Sequence, residues 1–179
     1  MRITKVTTKT GDKGKTGLAD GSRVSKDNLR IHCLGAIDEL NASIGLAAVL
    51  LPIKPEIDFK SIQNDLLNIG AEISIPISEK VFLNKARIVY LDQEIELINN
   101  DLPPLKEFIL PGGNDICSRI HLARCICRRA ERDLVSLNNK EQISPAILQY
   151  INRLSDYLFV VARLLIRISD KDEIQWNRS

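Results

Sequence analysis

Near the end of this 179-residue chain, apolar side chains recur at alternating steps of four and three positions. The residues of this seam are Ile147, Ile151, Leu154, Leu158, Val161, Leu165 and Ile168. Such steps keep side chains on one face of an α-helix, so the seam predicts a long amphipathic helix. Ser144 and Pro145 precede it, and this pair is typical of an N-cap followed by the first helical position. A helix with this seam has to bury it against other helices.

Four further apolar stripes with helical spacing precede the last one. They run over Leu34–Leu51, Phe59–Ile73, Ile88–Ile98 and Ile116–Leu137. Helices joined by short connections pack as neighbours. Aromatic residues make up only 4% of the chain, with nine glycines and seven prolines, which is unlike a many-stranded barrel or sandwich. We therefore predict a single all-α domain over residues 1–179. It comprises an up-and-down five-helix bundle over residues 28–170 and an irregular, Gly-rich N-terminal segment over residues 1–27.

Charge, cysteine content and hydropathy limit the location and the partners. A net charge of +2 is too balanced for sequence-independent binding of nucleic acid. The cysteines lack zinc-ligand spacing, so buried or half-buried free thiols in a reducing interior are expected, with a zinc site as the alternative. They are Cys33, Cys117, Cys125 and Cys127. The chain starts without a signal-like stretch and has no apolar run long enough to cross a bilayer, which predicts a cytoplasmic protein without a membrane partner.

The N-terminal segment contains glycines at every third position, Gly11, Gly14 and Gly17, with lysines and threonines between them. Glycine lets backbone N–H groups turn toward an anion, and lysine and threonine add charge and donors. A polyphosphate is the ligand that this composition favours, and a solvated, flexible terminus is the alternative. The segment is not a Walker A loop, because Lys9 stands where the first glycine of that motif is required.

Three arginines of the fourth helix share one face. They are Arg124, Arg128 and Arg132, spaced four apart. Like charges at this spacing repel one another, so the row predicts a bound anion, and arginine suits bidentate contacts with phosphate or carboxylate. Arg129 and Glu131 flank the row. The alternative is a solvated face with Glu131 and Asp133 as local partners.

A few other polar residues stand beside the apolar seams. Asn152 and Asp156 lie one turn apart on the last helix. They are either site residues or ordinary polar residues at the boundary of the core. Asp38 is an acid in an apolar stretch of the first helix, available as a counter-ion for an arginine. His32 and His121 have no second ligand at metal-binding spacing, so we assign no metal-ligating residue.

Five motifs together resemble one family. They are Thr8–Gly14, Gly35–Asn41, Phe108–Gly113, Arg124–Arg132 and Asn152–Leu158. In this order, along nearly the whole chain, they are similar to the PduO-type ATP:cob(I)alamin adenosyltransferases, also called corrinoid adenosyltransferases.

The resemblance implies a reaction and an assembly. Cobalt(I) of a reduced cobalamin attacks the 5′ carbon of ATP, which yields adenosylcobalamin and triphosphate. Members of the family are homotrimers of five-helix bundles, with ATP sites between subunits and Mg²⁺ on the phosphates. A corrinoid reductase and a B12-dependent mutase are further candidate partners. Two other classes stay open on the residues alone: a regulatory bundle that binds ATP without chemistry, and a nucleic-acid-binding protein that uses the arginine face.

The resemblance also implies roles for individual residues. Those matched to nucleotide contacts are Thr8, Lys9, Thr10, Gly11, Thr16, Gly17, Lys26, Arg128, Arg129, Glu131, Arg132 and Asn152. Asp38 and Arg124 match a salt bridge across the subunit interface. Phe108 matches an aromatic residue that fills the lower face of the corrin, displaces its axial base and gives four-coordinate cob(II)alamin. From sequence alone, without the resemblance, the favoured role of Phe108 is that of a core residue at the end of the bundle.

Overall fold

The structure is a computed structural model, and it describes residues 7, 9–76 and 81–178. Its helices are α1 (Leu29–Ala48), α2 (Phe59–Ile73), α3 (Ala86–Asn100), α4 (Asp115–Asn138) and α5 (Pro145–Ile168). The predicted all-α bundle is confirmed, and each predicted stripe lies on its own helix, except that Leu51 follows the end of α1. Within the described ranges, no helix is long and apolar enough to cross a membrane.

The helices pack around one continuous core. Helix α1 contacts α2 and α4, α4 contacts α5, and α5 contacts α3. Two ion pairs, Arg30–Glu141 and Glu39–Arg129, show that α1 and α4 run antiparallel. The seam residues of α5 are nearly all inaccessible to solvent, as their spacing predicts. The bundle therefore has two distinct ends. Helix α1 begins and α4 finishes at one end, and α4 begins at the other.

Side chains placed at the helix starts explain where several helices begin. Asn28, Asp58 and Asn114 each accept a hydrogen bond from an amide in the first turn of α1, α2 and α4. Pro145 takes the first turn of α5 as predicted, but the hydroxyl of Ser144 makes no capping bond.

The N-terminal segment contains a β-hairpin, so the prediction that it is irregular is wrong in part. Strands β1 (Lys15–Gly17) and β2 (Arg23–Ser25) pair antiparallel. Each strand has only three residues and no alternating apolar pattern, so the sequence carries little signal for them. The amide of Ala19 donates to the carbonyl of Ser74 at 3.0 Å, which anchors the hairpin at the C-terminal end of α2.

Candidate functional site

The glycine-rich segment forms a defined turn before β1. The amide of Gly14 donates to the carbonyl of Gly11 at 3.1 Å, and the amide of Lys26 donates to the carbonyl of Gly14 at 2.9 Å. Gly14 has a φ of 77° and Lys9 a φ of 58°, both in the left-handed region. Because a lysine rarely adopts this conformation, the backbone at Lys9 is strained. Thr8 lies outside the described residues.

Arg23 braces this turn, and sequence reasoning did not single it out. One guanidinium nitrogen of Arg23 lies 2.6 Å from the carbonyl oxygen of Thr10 and 3.1 Å from that of Lys15. The side chain of Lys26 lies over Gly11, where an added Cβ would approach Nζ to 3.2 Å. The two cations of β2 and its flank thus surround the turn. No pattern in the sequence marked Arg23, because a strand of three residues does not indicate its partners.

The arginine row follows α4 as its spacing predicts. Arg128 and Arg132 are exposed, and a guanidinium nitrogen of Arg132 donates to the carbonyl of Arg128 at 3.1 Å. The guanidinium of Arg124 lies 5.8 Å from the centre of the Phe159 ring, close enough for a cation–π contact. Its Nε atom is buried and has no hydrogen-bond partner within the described ranges.

On one side the row meets α1, through a residue that the sequence analysis passed over. Arg129 and Glu39 form an ion pair at 2.5 Å. The neighbouring Asp38, which we predicted to act as a counter-ion, is exposed on α1. Within one chain, therefore, Glu39 rather than Asp38 links α1 to the row. The salt bridge of Asp38 with Arg124 of another subunit stays a prediction.

On the other side the row meets α5, where the predicted Asn152 joins it. Its side-chain amide donates to Glu131 at 3.1 Å, and its oxygen accepts a hydrogen bond from Arg153 at 3.0 Å. The pKa of Asp156 is raised, first by partial burial and then by the charge of Glu131, while Arg153 and Arg128 act against the rise. The surface where α4 meets α5 thus combines cations with an amide and two acids. Glu131 bonds to Asn152, so it is more than a local counter-charge for the row.

Phe108 lies on the surface, where its ring is 72% exposed. It is therefore not a core residue of this chain. Its carbonyl accepts a hydrogen bond of 2.7 Å from the amide of Trp176, and the two ring centres are 6.3 Å apart. After the loop, Gly113 has a φ of 105°, and an added Cβ there would lie 2.4 Å from Cδ1 of Ile166. The positive φ favours glycine at this position, and a larger residue would also have to displace the end of the Ile166 side chain.

The parts of the site lie at opposite ends of the bundle. The glycine-rich turn is tied to the hairpin, which is anchored at Ser74, near the ion pair of Arg30 with Glu141 beyond the end of α4. Phe108 precedes the first turn of α4. A helix of 24 residues spans about 36 Å at 1.5 Å per residue. The arginine row lies between these ends.

The described residues provide no cage for a metal ion. No three side chains of His, Cys, Asp or Glu among them come together closely enough to hold one. Three of the free cysteines are buried and Cys125 is exposed, which corrects the expectation that all are at least half-buried. Burial raises the pKa of Cys33 to about 11, so its thiol is unreactive at neutral pH.

The residues that form this site fall within the match to a known protein family. The family model described as "Cobalamin adenosyltransferase" matches residues 6–165. This chain belongs to the cobalamin adenosyltransferase family. The match includes the glycine-rich turn, the arginine row and Phe108, so the family extends over every part of the candidate site.

Named relatives and solved structures agree with this membership. The chain is 45% identical to a cobalamin adenosyltransferase of Cupriavidus metallidurans, over 99% of this chain and 96% of that protein. It is 41% identical to the corrinoid adenosyltransferase of Bacillus subtilis, over 98% and 93%. A PduO-type ATP:corrinoid adenosyltransferase from Lactobacillus reuteri is similar in structure, with a TM-score of 0.93 and 32% identity over 97% of this chain and all of that one. That protein is a phenylalanine-to-alanine variant complexed with cobalamin and ATP.

Proposed function

We propose that this chain performs adenosyl transfer at sites shared between neighbouring subunits of a homotrimer. The chain is an ATP:corrinoid adenosyltransferase: it transfers the 5′-deoxyadenosyl group of ATP to cob(I)alamin and releases triphosphate. The Co(I) electron pair forms the Co–C bond while the bond from C5′ to oxygen breaks. Because Co(I) is itself the strong nucleophile, the protein has to position ATP and stabilise the leaving triphosphate.

The single observation that supports shared sites is the distance between the parts within one chain. The glycine-rich turn is anchored at the end where α4 finishes, while Phe108 lies where α4 begins. The triphosphate and the reacting 5′ carbon of one ATP are only a few bonds apart, so one chain does not bring both parts to the same nucleotide. If the turn of one subunit lies beside the arginine row and Phe108 of its neighbour, all three parts can reach the same nucleotide.

An exposed apolar face gives the neighbour a surface to cover. Glu39 and Arg129 pair α1 with α4, and Leu46 and Leu122 lie two turns along the same faces of these helices. These leucines are 48% and 55% exposed. Exposed apolar side chains grouped in this way are typical of interfaces. Asp38, the proposed partner of Arg124 in the adjoining subunit, is exposed on α1 one position before Glu39.

In this proposal residues 1–27 bind the nucleotide, and the bundle completes its site. Lys9 and its neighbours Thr8, Thr10 and Gly11 wrap the triphosphate, with Thr16, Gly17 and Lys26 beside them. Arg128 and its neighbours Arg129, Glu131 and Arg132 of the adjoining subunit face the phosphates, with Asn152 next to the nucleotide. Arginine contacts strengthen as charge develops on the leaving triphosphate, which is where they lower the barrier.

Phe108 is proposed to contact the lower face of the corrin. An aromatic ring in that place displaces the axial base from cobalt. Loss of this donor lowers the cobalt orbital that accepts an electron, so that Co(II) becomes reducible to Co(I). The exposed ring of Phe108 supports the proposal, because it is free to meet a substrate.

Three further features belong to the proposal. Mg²⁺ arrives on the phosphates of ATP, since Mg²⁺ is commonly held by phosphates and few protein groups, and the described residues offer no cage for it. The enzyme is cytoplasmic, in keeping with four free cysteines. A corrinoid reductase supplies the electron, and a B12-dependent mutase uses the product.

Replacement of Arg128 tests the assignment of the arginine row. Arg128→Ala should lower turnover about 100-fold or more, because a charge-assisted contact to the leaving triphosphate is lost. The substrates are ATP, Mg²⁺ and chemically reduced cobalamin, and formation of the Co–C bond is followed by absorbance. The exposed side chain contributes no core, so the urea midpoint should stay that of the wild type.

Arg119→Ala is the matched control. Arg119 lies on the same helix but pairs with Asp115 one turn away, so its loss should leave the rate unchanged. A near-normal rate for Arg128→Ala would remove Arg128 from the site. Equal losses in both variants would assign the effect to the charge of α4 as a whole.

A further inference from the structure

Arg163 is a buried arginine in the apolar helix α5. Its side chain is 3% exposed. Its guanidinium donates to the carboxylate of Glu173 at 2.6 and 3.2 Å and to the carbonyl of Pro103 at 2.8 Å. A buried guanidinium is costly unless its hydrogen bonds are made. Arg163 therefore fixes two segments against α5. The first contains Pro103 and follows α3, and the second is the C-terminal tail, residues 170–178.

The tail depends on this ion pair for its attachment. Every residue from 170 to 178 is exposed except Glu173, which is half-buried. Its large apolar side chains, Ile174 and Trp176, are 60% and 46% exposed. A segment with few apolar anchors loses its order easily, because little offsets the conformational entropy of the free chain. Besides its backbone bonds to the Phe108 loop, the tail is held by two ion pairs, the exposed one of Arg178 with Glu107 and the buried one of Glu173 with Arg163.

The tail in turn holds Phe108. Leu110 donates its amide to the carbonyl of Ile174 at 2.7 Å, and Phe108 accepts from the amide of Trp176 at the same distance. The indole of Trp176 also packs near the Phe108 ring. Phe108 is too exposed for the bundle core to orient it. Its position is set by a short ribbon, in which residues 108–110 pair with residues 174–176 of the tail through two backbone hydrogen bonds.

We propose that Arg163 and Glu173 form a clasp that holds the C-terminal tail on the Phe108 loop and thereby positions Phe108 for the corrin. The inference rests on the proposed contact of Phe108 with cobalamin. Neither residue touches the reacting atoms, so both are positioning residues. The clasp lies at the Phe108 end of the bundle, away from the glycine-rich turn. Its loss should change the use of cobalamin and leave the affinity for ATP as it is.

The test is Glu173→Gln, which removes the charge and keeps the size of the side chain. Trp176 is the only tryptophan of the chain, so its fluorescence reports directly on the tail. In the variant we expect red-shifted emission and stronger quenching by acrylamide. The KM for cobalamin should rise roughly fivefold, equivalent to about 1 kcal/mol. The four-coordinate Co(II) signal in electron paramagnetic resonance should weaken with ATP present, while the KM for ATP stays unchanged. Asp172→Asn, a neutralised neighbour in the exposed tail, should behave as the wild type.

The readouts separate the clasp from the function on which it rests. Unchanged Trp176 fluorescence in Glu173→Gln would overturn the clasp. A released tail with a wild-type cobalamin KM and Co(II) signal would overturn its positioning role. Failure of the proposed function appears elsewhere, as a Co(II) signal that persists undiminished in Phe108→Ala with the clasp intact. A tail released together with a selective cobalamin defect supports the proposal.

Discussion

His121 is a buried imidazole of α4 that contributes to the pH dependence of stability. Its ring centre lies 6.3 Å from that of Phe159, and among the described residues its Nδ1 atom has no hydrogen-bond partner. Burial, together with the charge of Arg124, lowers the pKa of His121 to about 4, while Glu173 acts in the opposite direction. The folded chain therefore keeps this imidazole neutral at pH values where the unfolded chain protonates it, with a pKa of about 6.5.

Between pH 6.5 and pH 4 the unfolded state binds the additional proton, so the free energy of unfolding falls as the pH falls. From pH 7 to pH 5 this single group should cost the wild type about 2 kcal/mol. Over the same pH range, the free energy of unfolding of His121→Gln, measured by urea denaturation, should fall by about 2 kcal/mol less than that of the wild type. Identical slopes for His121→Gln and the wild type would show that His121 does not titrate in this way.

The spacing of residues along a helix predicted which site residues lie on one face of that helix. It predicted little about their partners on other elements. The arginine row and its neighbour Asn152 were found because periods of three and four residues place side chains on known faces. Glu39 and Glu173 were missed. Glu39 pairs with Arg129, 90 positions away, and Glu173 pairs across the end of α5. Both pairs depend on how elements dock, which periodicity does not encode.

The glycine-rich turn is an element whose order should depend on its ligand. It carries few apolar anchors, and its known contacts are the backbone bonds around Gly14 and the brace from Arg23. Addition of Mg-ATP should slow amide hydrogen exchange over residues 9–17 by about tenfold or more, since bound phosphates offset the entropy of ordering. Amides in the middle of α5 serve as the internal control and should not change. Equal exchange over residues 9–17 with and without nucleotide would contradict a phosphate-binding turn.

A secondary-structure element could be predicted from the sequence when it buries a stripe of apolar side chains. All five helices were found from their seams, because each seam continues over at least three turns. The hairpin was missed because strands β1 and β2 have three residues each and are held by backbone bonds rather than by an apolar face. The ribbon of Phe108 with Trp176 was missed for the same reason.

The assembled enzyme has a feature that no single chain provides. The glycine-rich turn and Phe108 lie at opposite ends of one bundle, about a helix length apart, and ATP has to meet both. In a closed ring of three subunits, each subunit can present its glycine-rich turn to the next one. Every turn then lies beside the arginine row and Phe108 of a neighbouring subunit. The sequence indicated such an assembly only through resemblance, because neither composition nor periodicity shows which surfaces meet.

Complementation between two inactive variants tests this shared site most directly. Lys9→Ala disables the turn and Arg128→Ala disables the row, so each homotrimer should lack turnover. Coexpressed with different tags and isolated as mixed trimers, the two should regain about a third of the wild-type rate, because every mixed ring contains one intact pair of a turn and a neighbouring row. Mixed trimers as inactive as their parents would place the turn and the row of one chain in the same site, and would contradict the account.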